Sequence, residues 1–203
     1  MDDMDDRGAA ARDLERIRVL MERAGRFSHL SATAVFVAGG LAVLGVLLSW
    51  GAGADFSDPG SARPLSLIWG SVLVVALGQG LAFTMIDARR RGDPLWGPLT
   101  RQVAMAMLPA FFVGAAVTAF GVQTGQLEIL PPFWSLAHGS SLVALGLFAG
   151  RRIQAVGLLL LLWGAGALFL WKGHGLRVML GAFGGGHMLL GALITWKRPR
   201  SAA

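Results

Sequence analysis

From Ile153 to Trp171 the chain reads IQAVGLLLLLWGAGALFLW. After the four residues Lys172–Gly175 it resumes as LRVMLGAFGGGHMLLGALITW, from Leu176 to Trp196. Each run has the roughly 20 apolar residues that carry a helix across about 30 Å of hydrocarbon. The single charge within them, Arg177, lies at the outer start of its run, where a long side chain can snorkel to the surface. A four-residue link forces the second run to return beside the first. Two antiparallel membrane-crossing helices are the expectation, since a helix satisfies its own backbone in lipid.

Working outward, four more stretches have the same character: Pro132–Gly150, Gln102–Val122, Leu65–Ile86 and Ser31–Ala52. The links are short, so consecutive spans are expected to be neighbours and no soluble domain fits between them. The predicted fold is all-α, a six-helix transmembrane bundle over 29–198. The whole chain agrees: 54% of its 203 residues are hydrophobic and only 15% are charged, against about 25% charged in soluble domains. A cytosolic enzyme, a disulfide-built module and a disordered chain are excluded on that composition. The absence of Cys also removes thiolate metal sites and thiol nucleophiles.

Charge sets the expected orientation. Fifteen Lys and Arg fall on the side of the two termini: six between Arg7 and Arg26, then Arg89–Arg91 with Arg101, Arg151 with Arg152, and Lys197, Arg198 and Arg200. Three fall opposite, namely Arg63, Lys172 and Arg177. Positive loops stay inside, so both termini are expected in the cytoplasm. The net charge of +6 therefore belongs to anionic lipid rather than nucleic acid. Trp50, Trp69, Trp134 and Trp171 near outer span ends, and Trp196 at an inner end, are expected as headgroup anchors. Trp163, in mid-span, is expected to pack between helices.

Residues 1–10 form an acidic tip expected to be disordered, and 199–203 a short tail. Over 11–28, Leu14, Ile17, Leu20, Met21, Ala24 and Phe27 recur at helical spacing among Arg and Glu. This predicts an amphipathic interfacial helix on the inner leaflet, or a docking helix for a partner. No cleavable signal sequence is expected there. Gly53–Pro64 reads as a mobile outer loop, and its Asp55 and Asp58 fall short of a cation site. Gly39-Gly40, Gly78, Gly80, Gly164, Gly166 and Gly181–Gly186 permit close helix approach, within the chain or between copies. Pro109 removes a hydrogen bond to Met105 and should kink its span.

No Asp, Glu, Lys or Arg lies near a midplane, which argues against a carboxylate-driven pump. It also rules out a retinal protein, which needs a mid-span Lys. Nucleophilic catalysis lacks a GxSxG elbow, and no phosphate loop or HExxH is present. Two histidines fall within spans, His138 and His187. A facing pair can hold haem b or a metal ion. Counted along the helices they lie about 10 Å and about 18 Å deep, which favours two separate neutral rings bonded to polar neighbours. Gln79, Thr84, Thr118, Ser135 and Ser141 can supply those neighbours or line a polar cavity.

Met21-Glu-Arg-Ala-Gly-Arg-Phe27 with Leu30-Ser31, the Arg89–Arg101 loop, and His187 with Gly191 and a short basic tail resemble a family of small bacterial six-span inner-membrane proteins. Some of its members carry the label of carotene-cleaving monooxygenase. Such an iron enzyme needs several intramembrane histidines around one metal, and this chain offers two. The resemblance implies a multi-pass protein of the bacterial inner membrane and leaves activity open.

The expected function is a non-enzymatic integral membrane protein that binds a lipid-like ligand or a partner through intramembrane surfaces, with no cofactor. A haem- or metal-binding redox protein using His138 and His187, and an oligomeric channel or facilitator, stand as alternatives. The bilayer, a second copy or another membrane protein are the expected partners, and nucleic acid is not.

Overall fold

Ser31 opens the first helix by accepting a hydrogen bond from the Ala34 amide at 3.5 Å, satisfying one of the orphan donors of a helix start. The computed structural model describes residues 31–92 and 97–196. Among them are six helices and no strand: α1 Ala32–Gly51, α2 Ala62–Arg91, α3 Pro98–Thr124, α4 Leu130–Ala149, α5 Arg151–Leu170 and α6 Gly175–Thr195. Single 3-10 turns at Pro59–Ser61 and Leu127–Ile129 lead into α2 and α4. A π-helical stretch, Leu180–Gly185, lies inside α6. The acidic tip 1–10, the amphipathic helix 11–28 and the tail 199–203 lie outside the described residues.

All of these helices except α4 are long and apolar enough to cross a membrane, which marks the chain as a membrane protein. In α4 two Pro, three Ser and His138 interrupt the apolar residues. Polar groups at such a level must find partners within the protein, and α4 accordingly packs more tightly than its neighbours.

Its closest contact is with α5. Gly150 alone links the two, at φ 112 and ψ 160, a conformation that a Cβ disfavours strongly. Above this turn the two backbones touch. A Cβ added at Gly157 would lie 2.6 Å from the Val143 amide nitrogen and 2.8 Å from the Gly139 oxygen. Small residues drive such crossings in membranes because packing, rather than water exclusion, is the main source of affinity between helices. Ser135, fully buried, donates to the Leu160 carbonyl at 2.9 Å across the same seam.

Helix α6 packs on α1, α4 and α5. Gly181 lies under the Trp163 ring, and Trp163 Nε1 donates to the Val178 carbonyl at 3.2 Å, so Trp163 packs between helices as expected. Gly185 instead borders a shallow apolar groove with Val156, Leu159 and Leu189. Helix α2 lies along α1, and α3 along α4, yet among the described residues α2 and α3 do not pack along one another. This corrects the expectation that every short link makes its helices neighbours. The stretch from Gly92 to Gly97 can reach roughly 17 Å when extended, while packed helices are only 8–10 Å apart. The link therefore leaves α2 and α3 free to follow better partners. Only 11% of the apolar span of α2 and 6% of that of α3 is buried, against 44% for α1.

The end of the bundle opposite Ser31 is closed by an aromatic plug. Phe56, from the loop after α1, is 2% exposed, with ring centroids 6.5 Å from Trp69 and 6.2 Å from Trp134. Leu65, Leu127, Leu130 and Leu176 complete the cluster, and Val117 of α3 packs against it. Gly53–Pro64, expected to be mobile, is thus anchored in the core. Asp55 accepts from the Ser57 amide and hydroxyl at 2.8 and 2.6 Å, and Asp58 from the Gly60 amide and Ser61 hydroxyl at 2.9 and 3.0 Å. Trp69 and Trp134 pack into this plug rather than facing outwards. Trp50, Trp171 and Trp196 are exposed, as lipid-facing anchors would be.

Candidate functional site

Beneath the plug, α4 and α6 each contribute one histidine to a single cluster. The ring centroids of His138 and His187 are 4.9 Å apart with an interplanar angle of 14°. Phe183 lies 5.5 Å from His138 and 6.1 Å from His187. The expected separation in depth is thereby corrected. A count along each helix from its span end treats all helices as level, and they are not. Helix α4 begins two residues before its expected span and α6 one residue before its own, which sets His138 one residue deeper relative to His187. Ahead of His187, the π-helical stretch also departs from the regular α rise on which the count relied.

Phe183 also fixes the His187 ring. Its carbonyl lies 2.8 Å from His187 Nδ1. A carbonyl only accepts, so the proton of the neutral ring is assigned to Nδ1, leaving Nε2 as an acceptor. A π stretch widens a helix locally, and such bulges recur at functional sites. Gly39 of α1 admits the close approach beneath the ring, since a Cβ there would lie 3.1 Å from the Gly184 oxygen and 3.3 Å from His187 Cβ. Both imidazoles remain half-buried, although neither is near a helix end.

His138 Nε2 is covered and has no hydrogen-bond partner among the described residues. Gln79 Oε1 and Trp69 Nε1 share that condition. Buried polar atoms without partners are few in native proteins, and one on a ring already stacked against a second imidazole singles out this cluster. The other polar candidates lie apart from it in bonding. Ser135 bonds across to α5, and Ser141 donates to the Ala137 carbonyl at 3.2 Å. Thr118 donates to the Gly114 carbonyl at 2.6 Å and accepts from Trp134 Nε1 at 2.8 Å. Thr84 donates to Gly80, and Gln79 Nε2 donates to the Ala34 carbonyl at 3.0 Å. Hydroxyls in a helix turn readily to the carbonyl one turn back, which keeps them from the histidines.

The geometry bears on the haem expectation. Axial imidazoles on opposite sides of one iron are separated by two metal–nitrogen bonds of about 2 Å each, plus half a ring on either side. That exceeds the observed spacing, and the rings would flank a macrocycle rather than stack. The pair as placed does not fit bis-histidine haem. Among the described residues no third His, Asp or Glu joins it to complete a metal-ligand group. Phe183 was the partner missed in the sequence, although its four-residue spacing from His187 places both on one helix face. No family model, curated protein or solved structure matches this chain, so its functional reading rests on this geometry.

Proposed function

We propose that the chain is a six-span protein of the bacterial inner membrane, with both termini cytoplasmic, that binds a lipid-like ligand without acting as an enzyme. The observation that carries this reading is the separation of α2 from α3. The plug brings α1, α2, α3, α4 and α6 together at the outer end. Below it, the exposed flanks of α2 and α3 would let a lipid approach from the bilayer towards the helices that bear the histidines. Exposed Val74, Leu77 and Leu81 on α2, and Met105, Leu108 and Phe112 on α3, are apolar flanks suited to an acyl or isoprenoid chain. Ligand sites are mostly apolar with a few placed polar groups, and the His138–His187 pair is such a group.

The charge split supports the orientation, and the N-terminal motif with the basic loop supports the bacterial six-span assignment. The amphipathic helix 11–28 would lie on the inner leaflet. The exposed flanks would also serve a second copy or another membrane protein. To test the reading, the full chain is purified in mild detergent and its bound lipids are compared with those of the membrane it came from. One lipid class enriched at near-stoichiometric amount is expected. A bound pool with the composition of the bulk membrane overturns the proposal.

A further inference from the structure

We infer that the His138–His187 pair is the head-group subsite of this ligand and selects a hydroxyl. The inference rests on the lipid-binding reading and names the chemistry of its polar end. His187 Nε2 is an acceptor, because Nδ1 is committed to the Phe183 carbonyl at 2.8 Å. His138 Nε2 is covered and unpartnered among the described residues, and it gains by any partner that enters.

A hydroxyl is the neutral group that donates and accepts at one atom. A hydroxyl about 2.8 Å from one ring nitrogen also lies beside the second ring, since the two rings are centred 4.9 Å apart. An ester or ketone oxygen only accepts and leaves His187 Nε2 bare. A carboxylate repels the same lone pair, and no Lys or Arg of the spans lies near mid-helix to balance its charge. A bound metal cation would likewise lack a counter-charge there. Stacked rings walled by Phe183 suit a neutral alcohol or phenol on an apolar body.

The test uses the full chain in lipid nanodiscs with two photoreactive probes, hexadecanol bearing a mid-chain diazirine and its methyl ether. After irradiation, mass spectrometry reads which peptides are labelled. The alcohol is expected to label peptides of α2, α3, α4 and α6 about 10-fold more than the ether, the effect of one hydrogen bond to a buried group. His187→Leu should bring that ratio close to one while ether labelling persists. His187→Gln, which keeps a polar group, should retain part of it. Equal labelling of these helices by both probes in the parent protein overturns the hydroxyl inference and leaves the lipid-binding reading standing. Labelling by neither probe above the level of α5, whose Leu158 and Leu162 are exposed away from that surface, overturns both. The decisive comparison needs no variant, so misfolding of His187→Leu does not weaken it.

Discussion

Replacing Gly157 by Ala tests the contact that places His138. The added methyl carbon would lie 2.6 Å from the Val143 amide nitrogen, 2.8 Å from the Gly139 oxygen and 2.9 Å from Val143 Cγ2. Two of these are main-chain atoms of α4, held by helical hydrogen bonds, and cannot yield as the tip of a side chain can. Comfortable contacts begin near 3.5 Å, so α4 and α5 must part by roughly 0.8 Å. Parting them loosens the whole seam, including the 2.9 Å bond from Ser135 to the Leu160 carbonyl. Overpacking of this kind costs about 1–3 kcal/mol, while Ala in a helix interior is favoured over Gly by about 0.5–1 kcal/mol. The expected net loss is about 1–2 kcal/mol. Gly166→Ala is the matched control on the same helix, where nothing lies within 4 Å of an added Cβ. Only the helical preference acts there, so stability should rise by up to about 1 kcal/mol. Unfolding of both variants by sodium dodecyl sulfate in bicelles, followed by Trp fluorescence, measures the difference. A Gly157→Ala protein as stable as its parent refutes the backbone contact between α4 and α5.

Other consequences can be checked with the same preparation. Phe56→Ala removes the centre of the aromatic plug and should cost about 3–5 kcal/mol. Trp emission should shift to the red as Trp69 and Trp134 lose their neighbour, and unchanged emission would argue against the plug. Ser135→Ala should cost about 0.6 kcal/mol, the average worth of a hydrogen bond between membrane helices, and no loss would deny that bond a stabilising part. His187→Gln should fold nearly as well as the parent, and a metal or pigment present in the parent but missing from this variant would overturn the cofactor-free reading. A reporter active only outside the cytoplasm, fused at Ala203, should stay silent, and a strong signal would invert the topology.

The helices themselves were legible from the letters, because in hydrocarbon each helix must satisfy its own backbone and expose apolar side chains. That demand is local, so runs such as Ile153–Trp171 announce themselves without knowledge of their neighbours. Charge placement is equally local, which is why an orientation could be proposed from Lys and Arg alone. The value of Trp163 as an interhelical residue followed from its mid-span position in the same way.

What remained hidden depends on which helix faces which. Lipid solvates an apolar flank as well as another helix does, so hydropathy does not say that α2 turns to α1 or that α3 turns to α4. The glycines illustrate the limit. Gly157 is pressed against Val143 and Gly139, while Gly78 and Gly80 meet nothing within 4 Å, and no spacing rule separated them. Likewise Trp69 looked like a headgroup anchor until Phe56 was seen folded over it. The histidines show the same division most plainly. Their presence within apolar runs marked them as candidates, but depth counted along separate helices set them apart. Only the packing of α6 against α4, with a π-helical stretch inside α6, stacks His138 on His187. Contact between distant helices is a property of their relative rise, tilt and rotation, and these are set by side-chain packing that a linear pattern does not encode.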